Sequence, residues 1–137
     1  MLFRSIIESN FDFEARGDNG AGLGAWQLHK SAWDDACEYA KHKDMSFYSW
    51  NHWDSLKGDY KRLAFDPDVS RIIARNYLRL LEERMTKNGI KPTATKLYMA
   101  YNMGYSGAAM YDFSHTALGL DKKRRSILAR ANYILSR

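Results

Sequence analysis

Apolar residues recur every three or four positions along most of the chain, which is the spacing of amphipathic helices. The clearest case is residues 66–89, where Asp66 can cap a helix, Pro67 suits its first turn and Gly89 suits its end. The apolar positions between them form one stripe, made of Val69, Ile72, Ile73, Tyr77, Leu80, Leu81 and Met85. This pattern predicts a central helix with one buried face.

Similar signals predict further helices on both sides of the central one. Ser31 and Asp34 have the spacing of a capping box, and Thr93 follows Pro92 at the start of another helical segment. The predicted helices cover residues 2–9, 31–43, 93–104 and 121–137.

Glycines interrupt this helical pattern near the start of the chain. Gly17, Gly20, Gly22 and Gly24 lie within eight residues and precede a short apolar run. Glycine allows turns and close backbone approaches, so a small loop or hairpin is expected there. Alternating strand and helix units are absent. The expected fold class is therefore mainly α, a helical bundle around the central helix with a small Gly-rich loop or hairpin.

The length of 137 residues fits a single domain, residues 1–137, whose first helix is expected to be truncated at its start. Hydrophobic residues at 45% and charged residues at 27% are typical of a folded globular chain. The lone Cys37 excludes a disulfide framework and is more typical of a small apolar helix residue than of a nucleophile. No apolar run reaches the roughly 20 residues of a membrane span, and no signal peptide is recognisable.

The formal net charge of +5 arises in the last 17 residues, because residues 1–120 contain 15 basic and 15 acidic side chains. The final segment contains one acidic residue, Asp121, and six basic residues: Lys122, Lys123, Arg124, Arg125, Arg130 and Arg137. Such a cluster attracts polyanions, whether nucleic acid, anionic lipid or an anionic cell wall. The alternative interpretation is a solvated helix end.

Two carboxylates could carry acid–base chemistry. Glu8 is flanked by Ile6, Ile7 and Phe11, and apolar surroundings disfavour the charged form of a carboxyl group, as a general acid requires. Asp18 lies ten residues further on, in the Gly-rich stretch. Two carboxylates in one cleft suit the cleavage of a glycosidic bond. The alternatives are that Glu8 is an ordinary surface residue and that Asp18 belongs to an Asp-Asn-Gly turn.

Aromatic residues are concentrated between positions 47 and 65: Phe47, Tyr48, Trp50, Trp53, Tyr60 and Phe65. Aromatic rings can stack on the apolar faces of sugars, although most of these six are expected to pack in the core. His52 has no histidine or cysteine at ligand spacing, so no metal is expected. Phosphate-binding loops, nucleophile elbows and zinc-protease motifs are absent from the sequence.

Three segments in order resemble the lysozyme-like superfamily, nearest to goose-type lysozymes and soluble lytic transglycosylases. Ile7-Glu8-Ser9 with Phe11 resembles the family's catalytic glutamate block. Residues 22–28, Gly-Leu-Gly-Ala-Trp-Gln-Leu, are similar to its Gly-Leu-Met-Gln stretch. Residues 99–104, Met-Ala-Tyr-Asn-Met-Gly, resemble its Ala-Tyr-Asn-x-Gly block. The resemblance implies an α+β lysozyme-like fold with a substrate cleft between lobes.

The resemblance also implies roles for individual residues. Glu8 is expected to protonate the glycosidic oxygen. Gln27 is expected to contact the glycan or brace its loop, where Gly24 permits close approach and Trp26 replaces the usual methionine. The remaining pair lies in the third block: Tyr101 is expected to orient Glu8, and Asn102 to hold the cleft or contact sugar.

Asp18 separates the two subtypes of this family. In goose-type lysozymes an aspartate in a similar Gly-Asp-x-Gly segment is a candidate water-activating base, and Gly17-Asp18-Asn19-Gly20 lies at the matching place. Many lytic transglycosylases lack that carboxylate and use one glutamate as acid and then base, forming a 1,6-anhydro sugar. Hydrolysis is slightly favoured, and both chemistries remain open.

The sequence therefore predicts an enzyme that cleaves peptidoglycan between N-acetylmuramic acid and N-acetylglucosamine, without a cofactor. The basic C-terminal helix is expected to contact an anionic wall; no nucleic-acid partner is expected, and a monomer is expected. Action at the wall, in the periplasm or outside the cell, suits a phage lysin, a virion or secretion-system module, or an excised domain. Two alternatives are a chitin-type glycan as substrate and a non-catalytic basic helical module that binds wall or nucleic acid.

Overall fold

The structure, a computed structural model, describes the backbone of residues 16–17 together with residues 22–46 and 52–136. This part of the chain is mainly helical, as expected, and its only strands are two residues long. The strands are β1 (Arg16–Gly17) and β2 (Gly22–Leu23), which pair antiparallel. The helices are α1 (Lys30–His42), α2 (Trp53–Gly58), α3 (Tyr60–Leu63), α4 (Pro67–Lys87), α5 (Ala94–Met103), α6 (Tyr105–Ala109) and α7 (Lys122–Leu135).

The central helix α4 begins and ends where its sequence signals predict. The Asp66 side chain accepts hydrogen bonds from the backbone N–H groups of Asp68 at 3.0 Å and Val69 at 2.9 Å, which caps the first turn. Two residues after its last turn, Gly89 adopts a left-handed conformation with φ of 74°. The 21-residue helix is therefore bounded by local side-chain chemistry at one end and by glycine at the other.

Helices α5 and α7 also begin with a side-chain cap; the Thr93 cap was predicted, whereas the Asp121 cap was not. The Thr93 hydroxyl accepts from the Lys96 N–H at 3.2 Å, and the Asp121 carboxylate accepts from the Arg124 N–H at 2.8 Å. Gly104 follows α5 with φ of 81°, a conformation that favours glycine. In each case a short polar side chain satisfies one of the N–H groups that a helix start leaves unpaired.

Helix α1 differs from its predicted start. Its N-cap residue is His29, which makes no side-chain capping bond, so Ser31 lies inside the first turn and the capping box is not formed. Asp34 instead forms an ion pair with the Lys30 ammonium group. The (i, i+4) spacing allows this ion pair because both side chains lie on the same helix face.

The chain divides into two compact units, Met1–Leu80 and Leu81–Arg137, and the division falls within α4. In the first unit, the fully buried Trp33 of α1 donates from its indole nitrogen to the Leu56 carbonyl at 2.9 Å. Its ring meets the Tyr60 ring edge-on, with centroids 5.3 Å apart. These contacts fasten α1 to the short helices α2 and α3.

In the second unit, Tyr105 joins α6 to the end of α4. Its hydroxyl accepts a hydrogen bond from the Asn88 amide at 2.7 Å, and the Arg84 guanidinium lies 4.1 Å from its ring centroid. Phe113 meets the same ring edge-on at 5.2 Å. Farther along, the Thr95 hydroxyl donates to the Asn132 side-chain oxygen at 3.0 Å, which links α5 to α7.

Three further structural expectations have different outcomes. Among the described residues, no helix is both long and apolar enough to cross a membrane. The predicted first helix, residues 2–9, lies outside the described residues. The single domain of residues 1–137 stays a prediction.

Candidate functional site

The predicted site residues fall into three groups. Glu8 and Asp18 lie outside the described residues. Gly24, Trp26 and Gln27 belong to one loop of the first unit, and the structure connects Gly24 with Gln27 directly. The third group, Tyr101 and Asn102, consists of neighbours on α5 in the second unit.

The Gln27 loop, residues 22–28, is a tight turn closed by backbone pairing. Strand β2 pairs with β1, and Leu23 also forms an antiparallel bridge with Leu28 at the other end of the loop. The N–H of Gln27 donates to the Gly24 carbonyl at 3.3 Å. Gly24 has φ of 74°, which a residue with a Cβ adopts only at a cost. The positive φ of Gly24 therefore explains the glycine at this position by the backbone conformation of the turn.

Gln27 is held in an unusual conformation within this loop. Its φ is 52°, in the left-handed region that non-glycine residues rarely occupy. The side chain folds back and donates from Nε2 to the Gly24 carbonyl at 2.7 Å. One backbone oxygen thus accepts from both the main chain and the side chain of the same residue.

Gly22 makes room for the other end of the Gln27 amide. A Cβ atom placed on Gly22 would lie 2.6 Å from Gln27 Oε1 and 3.3 Å from the Gln27 carbonyl oxygen. A contact of 2.6 Å is far inside van der Waals distance, so a larger residue would displace the side chain. Gly22 is therefore a packing requirement of the Gln27 orientation.

Trp26 occupies the interior of this loop. Only 5% of its surface is exposed, and it belongs to the core of the first unit with Ala25 and Leu28. Burial of the indole stabilises the loop by the hydrophobic effect. Its predicted contact with substrate stays a prediction.

Tyr60 anchors the end of the loop. Its hydroxyl donates to the Leu28 carbonyl at 2.5 Å from helix α3. Burial raises the pKa of this hydroxyl from its ordinary 10.0 to about 12, so the group remains a donor throughout the neutral range. Of the other aromatic residues predicted from positions 47–65, Trp53 is also buried, whereas Phe47, Tyr48 and Trp50 lie outside the described residues.

The second described part of the candidate site is the last turn of α5. Tyr101 is 8% exposed, and Asn102 is half-buried. Arg124, in the first turn of α7, donates from Nη1 to the Asn102 backbone oxygen at 3.2 Å and also to the Asn102 side-chain oxygen. The contact places a guanidinium group at the carbonyl end of α5, where the helix dipole favours positive charge.

Sequence reasoning assigned Arg124 only to the basic cluster and missed this contact. The two residues are 22 positions apart, and no local pattern connects them. Arg125 also has a structural contact, since it donates to the Leu120 carbonyl at 3.4 Å. Lys122 and Lys123 are exposed, and neither has an ionic partner among the described residues.

A second group of basic residues was also missed. Arg71, Arg75 and Arg79 recur every four residues on α4 and are all exposed. They lie about 6 Å apart along the helix axis. Within the described part of the chain, none of this arginine row forms an ion pair, and the (i, i+4) spacing was the signal that could have found it.

The environment of Cys37 does not favour a nucleophile, and the described residues contain no candidate metal cluster. Burial, followed by the nearby Asp34 carboxylate, raises the pKa of the Cys37 thiol from 9.0 to about 12. The thiol therefore stays protonated at neutral pH, whereas a nucleophilic cysteine needs its thiolate. Over residues 22–46 and 52–136, no three His, Cys, Asp or Glu side chains are grouped in a way that could hold a metal ion.

Comparisons with protein-family models, with curated proteins and with solved structures give no match to this chain.

Proposed function

We propose that this protein cleaves the glycan strands of peptidoglycan at the β-1,4 bond between N-acetylmuramic acid and N-acetylglucosamine, with Glu8 as general acid. The observation that carries the proposal is the order of three blocks on a mainly helical chain: Glu8, the Gln27 loop, and Tyr101 with Asn102. The proposed reaction uses no cofactor. Because the proposed substrate is peptidoglycan, the proposed site of action is the cell wall.

The conformation of Gln27 supports a functional role for its loop. A non-glycine residue with φ of 52° costs about 1–3 kcal/mol, and such strain is concentrated at functional sites. A glutamine amide can donate to and accept from the hydroxyl and acetamido groups of a sugar.

In the proposed hydrolysis, the Glu8 carboxyl group donates its proton to the glycosidic oxygen while the bond from that oxygen to the muramic acid carbon breaks. Asp18 accepts a proton from a water molecule, whose oxygen attacks the same carbon from the opposite face. This inverting reaction needs carboxyl groups about 6.5–9.5 Å apart, with the water between them. Tyr101 and Asn102 are proposed to orient Glu8 and the sugar.

The closest variant of the proposal is a lytic transglycosylase. There Glu8 first donates its proton to the glycosidic oxygen while the bond from that oxygen to the muramic acid carbon breaks. The deprotonated Glu8 then removes the proton from the 6-hydroxyl of muramic acid, whose oxygen bonds to the same carbon and closes a 1,6-anhydro ring. No water enters the product, and Asp18 is then a turn residue only. The two reactions differ in product mass by one water molecule.

One experiment tests the activity and separates the two reactions. The purified protein is incubated with cell walls, clearing is followed by turbidity, and the soluble products are analysed by mass spectrometry. Glu8→Gln retains the side-chain shape but cannot donate the proton, and general acid catalysis contributes roughly 100- to 10,000-fold. Clearing by wild type and its loss in folded Glu8→Gln are expected.

The products decide the role of Asp18. Hydrated reducing ends, together with a much slower Asp18→Asn variant, support the favoured lysozyme reaction. Anhydro ends with an unimpaired Asp18→Asn variant support the transglycosylase. Normal clearing by folded Glu8→Gln contradicts the proposed acid in either case.

The exposed basic residues favour a second candidate function, a non-catalytic module that binds an anionic polymer. The observation is the arginine row on α4, which has no ion pair within residues 22–46 and 52–136, together with the exposed Lys122 and Lys123 on α7. Exposed positive charges attract polyanions without any catalytic group. Sedimentation with walls but no release of soluble glycan would favour this candidate over the enzyme.

A further inference from the structure

We propose that Arg124 is a positioning residue that fixes the orientation of the Asn102 amide and so makes Asn102 a hydrogen-bond donor toward the glycan. The inference rests on the proposed function for its substrate. Its structural basis is the pair of hydrogen bonds from Arg124 Nη1 to the backbone oxygen and the side-chain oxygen of Asn102.

The chemistry of the two groups determines the orientation. A guanidinium group has donors only, so the amide face it meets must be the oxygen. The Asn102 side-chain nitrogen then points away from Arg124 with both of its hydrogens. No hydrogen bond of that nitrogen occurs with any residue that the structure describes, and Asn102 is only half-buried. Without such a partner, the Asn102 amide would rotate and present either its oxygen or its nitrogen in the same direction.

The surroundings keep Arg124 in place. It lies in the first turn of α7, and its own backbone N–H is bound by the Asp121 cap at 2.8 Å. Its guanidinium meets the carbonyl end of α5, where positive charge is favourable. Charge-assisted bonds of this kind are roughly twice as strong as neutral ones. The same Arg124 contact therefore caps α5 and orients the Asn102 side chain.

The orientation of the amide predicts the kind of substrate group to which Asn102 forms a hydrogen bond. Two N–H donors suit an acceptor oxygen, such as an acetamido carbonyl or a ring hydroxyl of an N-acetylated sugar. A substrate group that only donates would face an unsatisfied N–H group. Arg124 thus acts through Asn102 and does not contact the substrate in this proposal.

The test compares steady-state cleavage of soluble glycan fragments by three variants. Arg124→Met removes the guanidinium. Asn102→Asp keeps an oxygen for Arg124, and therefore the helix contact, but deletes the two amide donors. Arg125→Met is the charge-matched control, because the guanidinium of Arg125 bonds the Leu120 carbonyl at 3.4 Å and no other described residue. Thermal unfolding is measured for each.

We expect Arg124→Met and Asn102→Asp each to raise KM about fivefold, the equivalent of one hydrogen bond, with a much smaller effect on kcat. Asn102→Asp should unfold no earlier than wild type. Arg124→Met should raise KM more than Arg125→Met. In an Asn102→Ala background, Arg124→Met should add little, because the two residues act on one contact.

Two results would overturn the inference while leaving the proposed function standing: an unchanged KM in Asn102→Asp, or a KM effect of Arg124→Met that persists in the Asn102→Ala background. The first would mean that Asn102 does not donate to the glycan, and the second that Arg124 affects KM independently of Asn102. If the wild-type protein cleaves no glycan, the proposed function fails, and this inference fails with it.

Discussion

The Gln27 loop and the last turn of α5 hold their predicted polar residues in different ways. In the loop, the backbone does the positioning: Gln27 is bonded to Gly24 three residues away, and Gly22 leaves space for its side-chain oxygen. At the end of α5, Asn102 is held by the side chain of Arg124, 22 residues further along the chain. One arrangement is local and the other depends on packing between helices.

The difference determines how each region responds to substitution. The loop stores strain, since a non-glycine residue is held at φ of 52°, and it can relax when one contact is lost. The end of α5 has ordinary helical geometry and keeps its backbone when a side chain is changed. We therefore expect loop substitutions to affect both stability and activity, and substitutions on α5 to affect activity with little loss of stability.

The largest effect is expected from Gly22→Ala, which breaks the local arrangement. The new Cβ would lie 2.6 Å from Gln27 Oε1, so the glutamine must leave its position. Because Oε1 ends a flexible side chain and the Gln27 carbonyl oxygen lies at 3.3 Å, a small loss of stability is expected. Displacement of a positioning group by about 1 Å can cost roughly 100-fold in rate, so the larger loss is expected in activity. Thermal unfolding and wall clearing measure the two losses.

Gly58→Ala is the matched control for that substitution. A Cβ on Gly58 meets no atom within 4 Å, and this glycine ends the short helix α2. Its alanine variant should retain wild-type clearing and stability. Wild-type behaviour of Gly22→Ala would show that the Gln27 orientation is not needed.

The sequence predicted these two regions unequally, for physical reasons. Caps at Asp66 and Thr93 were predicted correctly, because a helix start is decided by residues within one turn. The Ser31 capping box was wrong, because the helix begins at Lys30 and Ser31 therefore lies inside its first turn. A glycine-rich turn leaves a local signal, whereas the link between α5 and α7 exists only after folding. The same limit applies to Tyr60, whose Leu28 partner is 32 residues away.

The next largest effect is expected from Tyr60→Phe, which tests whether the loop depends on one contact outside itself. The substitution leaves the Leu28 carbonyl without its donor, and an unsatisfied buried group costs about 1–3 kcal/mol. The phenylalanine ring keeps the edge contact with Trp33, so the loss should come from the hydroxyl alone. Chemical denaturation measures it.

An alkaline titration of the same variant gives an independent result. The pKa of Tyr60 is raised by burial from 10.0 to about 12, so between these values the folded chain holds a proton that the unfolded chain has lost. This contribution to stability is complete below pH 10 and is lost as the pH rises toward 12. The variant should therefore lose less stability than wild type over that window. Equal losses would contradict the assigned cause.

A smaller effect is expected from Tyr101→Phe, which sharpens the comparison on the α5 side. The ring of Tyr101 is 8% exposed and will still pack, so the thermal unfolding temperature should change little. If its hydroxyl orients Glu8 as proposed, losing a hydrogen bond of about 1 kcal/mol should lower kcat/KM roughly fivefold and alter the pH profile. Unchanged activity and pH profile would make Tyr101 a packing residue only.

The smallest effect is expected from the double variant Lys122→Gln and Lys123→Gln, which separates exposed charge from the structural role of Arg124. These two lysines are exposed and have no ion-pair partner among residues 22–46 and 52–136, so only electrostatic attraction to the wall should change. Exposed charges contribute little individually, and we expect roughly threefold weaker wall binding at low salt. The difference should disappear as salt rises, because the Debye length is about 10 Å at 0.1 M.

The control removes the same charge from lysines that are already paired, with Lys41→Gln and Lys87→Gln. Lys41 lies 2.8 Å from the Asp54 carboxylate, and Lys87 lies 3.4 Å from the Glu83 carboxylate. Each lysine charge is therefore partly neutralised and attracts an anionic polymer less strongly. If this control weakens wall binding as much as the α7 variant, net charge alone is responsible. A deficit in the α7 variant that stays constant with salt would instead mean that the first turn of α7 acts through packing, as Arg124 does.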